Sequence, residues 1–260
     1  EGNTVSDYDP EEIRRKFSIN TSIIPVEWKD AKINILDTPG YFDFVGEVKQ
    51  AVRAADSAII VVSAKSGIEV GTEKAWEYAE EANLPRMIFV NAMDDEHANL
   101  PKILEELKEK FGKCIAPFQV PFKENERFAG FVNVVKMEGR RFANGTVVPC
   151  DIPEGMEDEI DPVRNMILEA VAETSEELME KYFNEEEFTL EEIQEALHKG
   201  VLDGSIVPVL CGTALNNTGI RVLLNSIIEY MPNPSEVHAV LKGKNPKTEK
   251  DEERKCAVDE

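Results

Sequence analysis

Three short motifs carry residue types that could do chemistry on a phosphate or a nucleobase. Asp37-Thr38-Pro39-Gly40 follows the apolar run 33–36. A carboxylate at the carboxyl end of a buried strand stands where α/β sheets bind ligands, and it can hold Mg2+ directly or through water. A glycine just beyond lets a backbone N–H approach a phosphate closely. The same residues are also good turn chemistry. Asn91-Ala92-Met93-Asp94 closes a second apolar run, 87–90. A carboxylate in the plane of a purine accepts the N1 and N2 protons of guanine, a donor pair that adenine lacks, so one Asp can select GTP over ATP. Asn and Asp are equally the preferred residues at a helix N-cap. Cys211-Gly212-Thr213-Ala214 closes a third run, 206–210. Its small residues either let backbone N–H groups meet a base carbonyl or simply let a strand exit.

The elements that must position these motifs follow from periodicity. Ser22–Trp28 reads as a strand, with Pro25 marking an edge position. Runs 33–36, 58–62, 87–90 and 206–210 are short and rich in Ile and Val, as strands of a largely buried sheet are. Between them lie helical spacings: Val45, Val48, Val52 and Ala55; the Glu- and Ala-rich segment 72–82; Leu100 to Phe111, stopped at Gly112; and Ile220 to Met231, ended by Pro232 and Pro234. Strands alternating with helices predict an α/β sheet.

Residues 115–205 break that rhythm and read as an inserted α+β subdomain. Residues 128–135 alternate as an antiparallel strand does, and Asn144-Gly145 is a hairpin signal that sets Arg141-Phe142 opposite Val147-Val148. Two helices follow, one carrying Val163, Ile167 and Val171, the other opening on the capping-box pattern at Thr189 and closing at Gly200. The expected division is a core over 1–114, the insertion over 115–205, a last strand and helix over 206–235, and a linker toward a further domain over 236–260, of which 242–260, almost without apolar residues, reads as a linker or an unpaired tail.

Lys and Arg number 29 against 51 Asp and Glu, and the resulting charge of −22 repels polyanions. A broad basic face for DNA is thereby excluded, and RNA contact would have to be local. No apolar stretch is long enough for a membrane-spanning helix. Cys114, Cys150, Cys211 and Cys256 show neither metal-type spacing nor disulfide density, which fits a reducing, cytoplasmic setting.

The three motifs, in one chain order and each at a strand exit with helices between, resemble the guanine-nucleotide domain of translational GTPases, more narrowly elongation factor G. The resemblance covers roughly residues 7–235 and includes the insertion before the last strand. It implies a P-loop-NTPase-type, mostly parallel sheet flanked by helices, with GTP and Mg2+ as ligands and the ribosome as partner. It also implies individual roles. Ser18, in Arg15-Lys16-Phe17-Ser18, would stand where the family's first switch has a Mg2+-ligating Thr, and Asp37 would be the acidic residue behind the metal. The Gly40 N–H would meet the γ-phosphate, and Asn91, Asp94, Thr213 and Ala214 would read guanine.

Three departures from the family pattern carry expectations of their own. Tyr41 stands where the family has a His that orients the attacking water; a phenol cannot become an imidazolium, so slower hydrolysis is expected. Ala92 replaces a Lys whose stem packs along the base. No Gly-x-x-x-x-Gly-Lys-Ser/Thr pattern occurs in the 260 residues, so the first strand of the family's sheet, between those ending at Asp37 and Ser63, is expected to be missing. The sheet would then hold a gap, close up, or borrow a strand. The absent loop, the absent initial Met and the charged tail together are expected of an internal piece of a longer GTPase, itself a weak binder of GTP. A ribosomal-protection-type GTPase and a non-catalytic ribosome-associated module are the alternative readings. Restoring the missing stem with Ala92→Lys is expected to tighten guanine-nucleotide binding, measured by titration; unchanged affinity would count against a role for position 92.

Overall fold

The computed structural model of the chain describes residues 4–125, 127–143, 146–237 and 240–255; Asn144-Gly145 and Cys256 lie outside them. The chain opens with α1 (Pro10–Arg15), β1 (Ser22–Trp28) and β2 (Ala31–Asp37). A 3-10 turn over Phe42–Phe44 leads to α2 (Val45–Ala54), β3 (Ala58–Ser63), α3 (Val70–Glu81), β4 (Arg86–Asn91) and α4 (Leu100–Phe111). Five strands come next: β5 (Ile115–Pro117), β6 (Gln119–Glu124), β7 (Arg127–Asn133), β8 (Glu138–Ala143) and β9 (Thr146–Cys150). The chain continues through α5 (Glu157–Ala172), α6 (Glu176–Phe183), α7 (Leu190–Asp203), β10 (Val207–Cys211), α8 (Ile220–Tyr230), α9 (Pro234–Val237), β11 (Val240–Lys244) and β12 (Asp251–Lys255).

β3, β4, β10 and β5 form a parallel sheet in that order. Successive side chains of a strand point to opposite faces, and on β4, β5 and β10 both faces are covered, whereas β3 leaves Ile59 and Val61 exposed. Met87, Phe89 and Leu210 enter one core with Ile167 of α5 and Leu197 of α7. Ile88, Val90 and Val209 enter another with Trp76 of α3 and Leu107 of α4. Burial on two sides explains why these strands read as continuous apolar runs. The fold is the expected α/β architecture: a parallel sheet between helices, with a second sheet, β6-β7-β8-β9, antiparallel throughout.

The run at 33–36 does not join the parallel sheet. It lies in β2, which pairs antiparallel with β1 from Ser22↔Asp37 to Trp28↔Ala31. Lys32 and Asn34 interrupt its apolar residues, and Ile35 remains 38% exposed, as befits a ribbon open on one face. Among the described residues β2 makes no ladder to β3, so the gap is the outcome seen. The open edge of β3 carries Ile59 and Val61, the latter 61% exposed. The ribbon is held from its flanks instead. Trp28 Nε1 donates to Asn225 Oδ1 of α8 at 2.9 Å, and the Thr21 N–H donates to Glu47 Oε2 of α2 at 3.0 Å.

Three further differences from the sequence reading have physical causes. β5, within the range expected for the insertion, pairs with β10; the Phe118 N–H then donates to Val209 O and the Val134 N–H to Phe118 O, stitching the antiparallel sheet to the parallel one. α7 does not close at Gly200 but runs to Asp203, with Gly204 in the left-handed conformation (φ 80°) as its cap. Gly200 serves packing, because a Cβ there would lie 2.5 Å from Ile206 Cδ1. The stretch from 242 on, expected to be a linker or an unpaired tail, forms most of the β11–β12 hairpin, with Lys242 Nζ 2.8 Å from Glu253 Oε1 across it. Opposite charges facing across a ribbon stabilise it without an apolar core.

Two glycine substitutions separate propensity from packing. In α2, Gly46→Ala adds a methyl with nothing within 4 Å and is expected to stabilise by about 0.5–1 kcal/mol. Gly200→Ala brings the same propensity gain but overpacks Ile206, for a net loss of about 1–2 kcal/mol. Urea denaturation of the two variants, moving their midpoints in opposite directions, is the check.

Candidate functional site

β4 and β10 run side by side with Cys211 opposite Val90, so Asn91 and Gly212 leave the same edge of the sheet together. The Gly212 N–H donates to Val90 O at 3.0 Å, and the Met93 N–H donates to Gly212 O at 3.1 Å. Only a glycine fits this crossing: a Cβ at 212 would lie 2.5 Å from Thr218 O and 2.9 Å from a Phe89 ring carbon. Ala92 makes the turn with φ 62°, a left-handed conformation that costs a non-glycine residue about 1 kcal/mol or more.

The side chains close the cluster. Asn91 Oδ1 accepts the Ala214 N–H at 2.9 Å. Thr213 Oγ1 donates to Asp94 Oδ1 at 3.1 Å, and Asn216 Nδ2 donates to Asp94 Oδ2 at 2.9 Å. Each carboxylate oxygen of Asp94 thus has one protein donor and keeps a lone pair for another. The carboxylate is exposed while Thr213 behind it is buried. Such a group is aimed, fixed at two points and open to an in-plane donor pair. Behind it, burial pushes the Cys211 thiol up to about 12, so that sulfur stays protonated. The Cys211 N–H donates to Gln119 Oε1 at 2.9 Å.

A second group gathers at the end of the β1–β2 ribbon. Asp37 sits opposite Ser22 in the ladder. Pro39 is buried, whereas Gly40 is exposed and an added Cβ would meet nothing within 4 Å, leaving space for a close approach to its N–H. Tyr41 is 57% exposed, and its ring centroid lies 4.7 Å from that of Phe17. Ser18 Oγ donates to Asp7 Oδ1 at 2.7 Å.

Glu12 organises the loop that carries Phe17 and Ser18. Its carboxylate is buried and accepts three backbone N–H groups: Ile19 and Asn20 on Oε1, both at 2.9 Å, and Asp9 on Oε2 at 3.1 Å. Burial alone would raise the acid, but these donors outweigh it and hold Glu12 below its ordinary 4.5.

Contacts therefore unite Asn91, Asp94, Thr213 and Ala214 in one cluster and bring the Ser18 loop against Tyr41 in another. Among the described residues none links Asp37 to Asp94. Glu12, Asn216 and Gln119 were missed by sequence reasoning. Asp9-Pro10-Glu11-Glu12 is a capping-box pattern with Pro at N1 and could have drawn notice to Glu12. Asn216 and Gln119 act on residues 122 and 92 positions away, and no local pattern signals that.

Two comparisons bear on this geometry. The family described as the elongation factor Tu GTP binding domain matches residues 1–233. The chain is also similar to a protein from Thermus thermophilus whose crystal structure is known, with 36% sequence identity and a TM-score of 0.85 over 90% of this chain. It spans 35% of the length of that protein.

Glu12→Gln sets an amide NH2 against one of the three donors and is expected to destabilise by about 1–3 kcal/mol, loosening the loop that holds Ser18. The folded acid is depressed, so its stabilisation is complete above 4.5 and is lost as pH falls through the folded value. Acid titration followed by circular dichroism checks this: the wild type should lose stability below about pH 4.5, and the variant should show a flatter profile there.

Proposed function

The chain belongs to the elongation factor Tu GTP-binding-domain family, and we propose that it forms the guanine-nucleotide domain of an elongation-factor-G-type translation factor. Such a factor hydrolyses GTP on the ribosome to drive translocation in the cytoplasm. The single observation that carries the nucleotide reading is the Asp94 carboxylate, held by Thr213 and Asn216 with a free lone pair on each oxygen. The N1 and N2 protons of guanine match that pair, and adenine has no such donors. The Ala214 N–H donates to Asn91 Oδ1 in the same cluster.

The remaining roles are those that the resemblance to translational GTPases implies for the second group. The exposed Gly40 N–H receives the γ-phosphate, and Tyr41 places the attacking water. Asp37 and Ser18 are a carboxylate and a hydroxyl, the hard oxygen donors that Mg2+ takes alongside phosphate oxygens; they would hold the ion between the protein and the nucleotide. Mg2+, when bound, would neutralise charge on the β- and γ-phosphate oxygens. The phenol of Tyr41 orients water without supplying a cationic donor, and its contact with Phe17 couples that placement to the loop bearing Ser18. No helix among the described residues is long and apolar enough to cross a membrane. Tyr41 and Ala92 also favour a second reading, in which the domain binds nucleotide at the ribosome with little turnover.

Base selection is testable on the chain itself. Millimolar GDP is expected to shift the backbone amide resonances of residues 91–94 and 212–214, and ADP is expected to leave them in place. Asp94→Asn should weaken GDP about tenfold or more and improve binding of xanthosine diphosphate, whose C2 carbonyl receives the new amide N–H. Equal responses to GDP and ADP, or an Asp94→Asn variant that still prefers GDP, would overturn the reading.

A further inference from the structure

The larger of the two described cavities, about 1350 Å³, lies behind the Asp94 cluster rather than at it. It opens between the N-terminal end of α4, strand β6, the end of β9 with the loop that follows, and the start of α5. Its floor is apolar, formed by Met93, Leu104, Val120, Phe122, Ile152 and Met156. Well-formed apolar cavities of a few hundred Å³ or more with a few polar groups are where small molecules bind.

Charge at the rim gives the cavity a chemical preference. Arg141 and Glu124 neutralise each other across 2.6 Å. The other charged lining residues are Lys123 against Asp151, Glu154 and Glu159, all exposed, so the rim carries excess negative charge. Deeper, Gln119 is buried and its Oε1 accepts the Cys211 N–H, so it serves the wall of the cavity. The strand edges facing the cavity do not suit a peptide, because Pro121 in β6 and Pro149 in β9 offer no N–H for an added strand.

The inner wall is also the back of the base-reading loop. Met93 lines the cavity and donates its N–H to Gly212 O, and Gln119 lines it while its Oε1 holds the Cys211 N–H. We propose that this cleft is a binding site for a small cationic amphiphile, with an apolar body over Met93 and Phe122 and an amine head at Asp151, Glu154 and Glu159, and that its occupancy adjusts the loop bearing Asp94. The effect on base reading rests on the role proposed for Asp94. The site itself does not, and its test uses no nucleotide.

The probe set is 4-phenylbutylamine, 4-phenylbutanol and 4-phenylbutyrate, titrated into the whole chain and followed by amide resonances. The amine is expected to bind about tenfold tighter than the acid and to shift Met93, Val120, Cys211 and Gly212. The doubly substituted Glu154→Lys, Glu159→Lys variant changes only exposed side chains and should reverse the order, favouring the acid. The proposal falls if the amine leaves those four amides unmoved, if its shifts gather instead around Met179 and Phe183 at the second cavity, or if the charge-reversed variant keeps the wild-type preference.

Discussion

The double burial of β10 is the constraint on which the rest depends. All five of its residues are buried, and β4 and β5 occupy both its edges. A strand closed on two faces and two edges cannot slip by one residue without turning its apolar set into the wrong core. That fixed register is what delivers Gly212 beside Asn91 and lets Thr213 and Asn216 reach Asp94 across more than a hundred residues of chain. The polar cluster is thus a consequence of apolar packing beneath it. Its own hydrogen bonds, each worth about 1 kcal/mol net, orient the carboxylate and do not hold the strands together.

The same strand makes the antiparallel sheet part of the core. Phe118, Val120 and Val132 share a cluster with Met87, Phe89 and Leu210, and Gln119 reaches the Cys211 amide at the last turn before the candidate site. What interrupts the α/β rhythm in the sequence does not interrupt the packing in space. β6 thus meets the backbone one residue before Gly212 through a buried carboxamide.

Much of this was legible in the residues themselves. Strands β3, β4 and β10 announce themselves by short apolar runs in which Ile and Val are frequent, and Gly112 does end α4. The register Arg141↔Val148 and Phe142↔Val147 is the one that an Asn-Gly hairpin demands. Asn91, Asp94, Thr213 and Ala214 were found as a set, and they do lie together. The failures share a cause. β5 is only three residues long and includes a proline, so it has no periodicity to detect. Gly200 has the composition of a helix stop, yet a tertiary neighbour, Ile206, decides its use. The β2 run shares Ile33, Ile35 and Leu36 with the buried strands in type, but Lys32 and Asn34 alternate with them, as suits the open ribbon that it forms with β1. Pairings made at long range leave no local trace.

The uncovered edge of β3 has a colloidal consequence. N–H and C=O groups beside Ile59 and Val61, unpaired among the described residues, are a template for another strand, including one from a neighbouring copy. With a charge of −22, copies repel one another at distances set by the ionic atmosphere, about 30 Å in 0.01 M salt and 3 Å in 1 M. Electrolyte thereby governs whether these molecules stay dispersed: dilute buffer keeps the bare strands apart, and brine lets them meet.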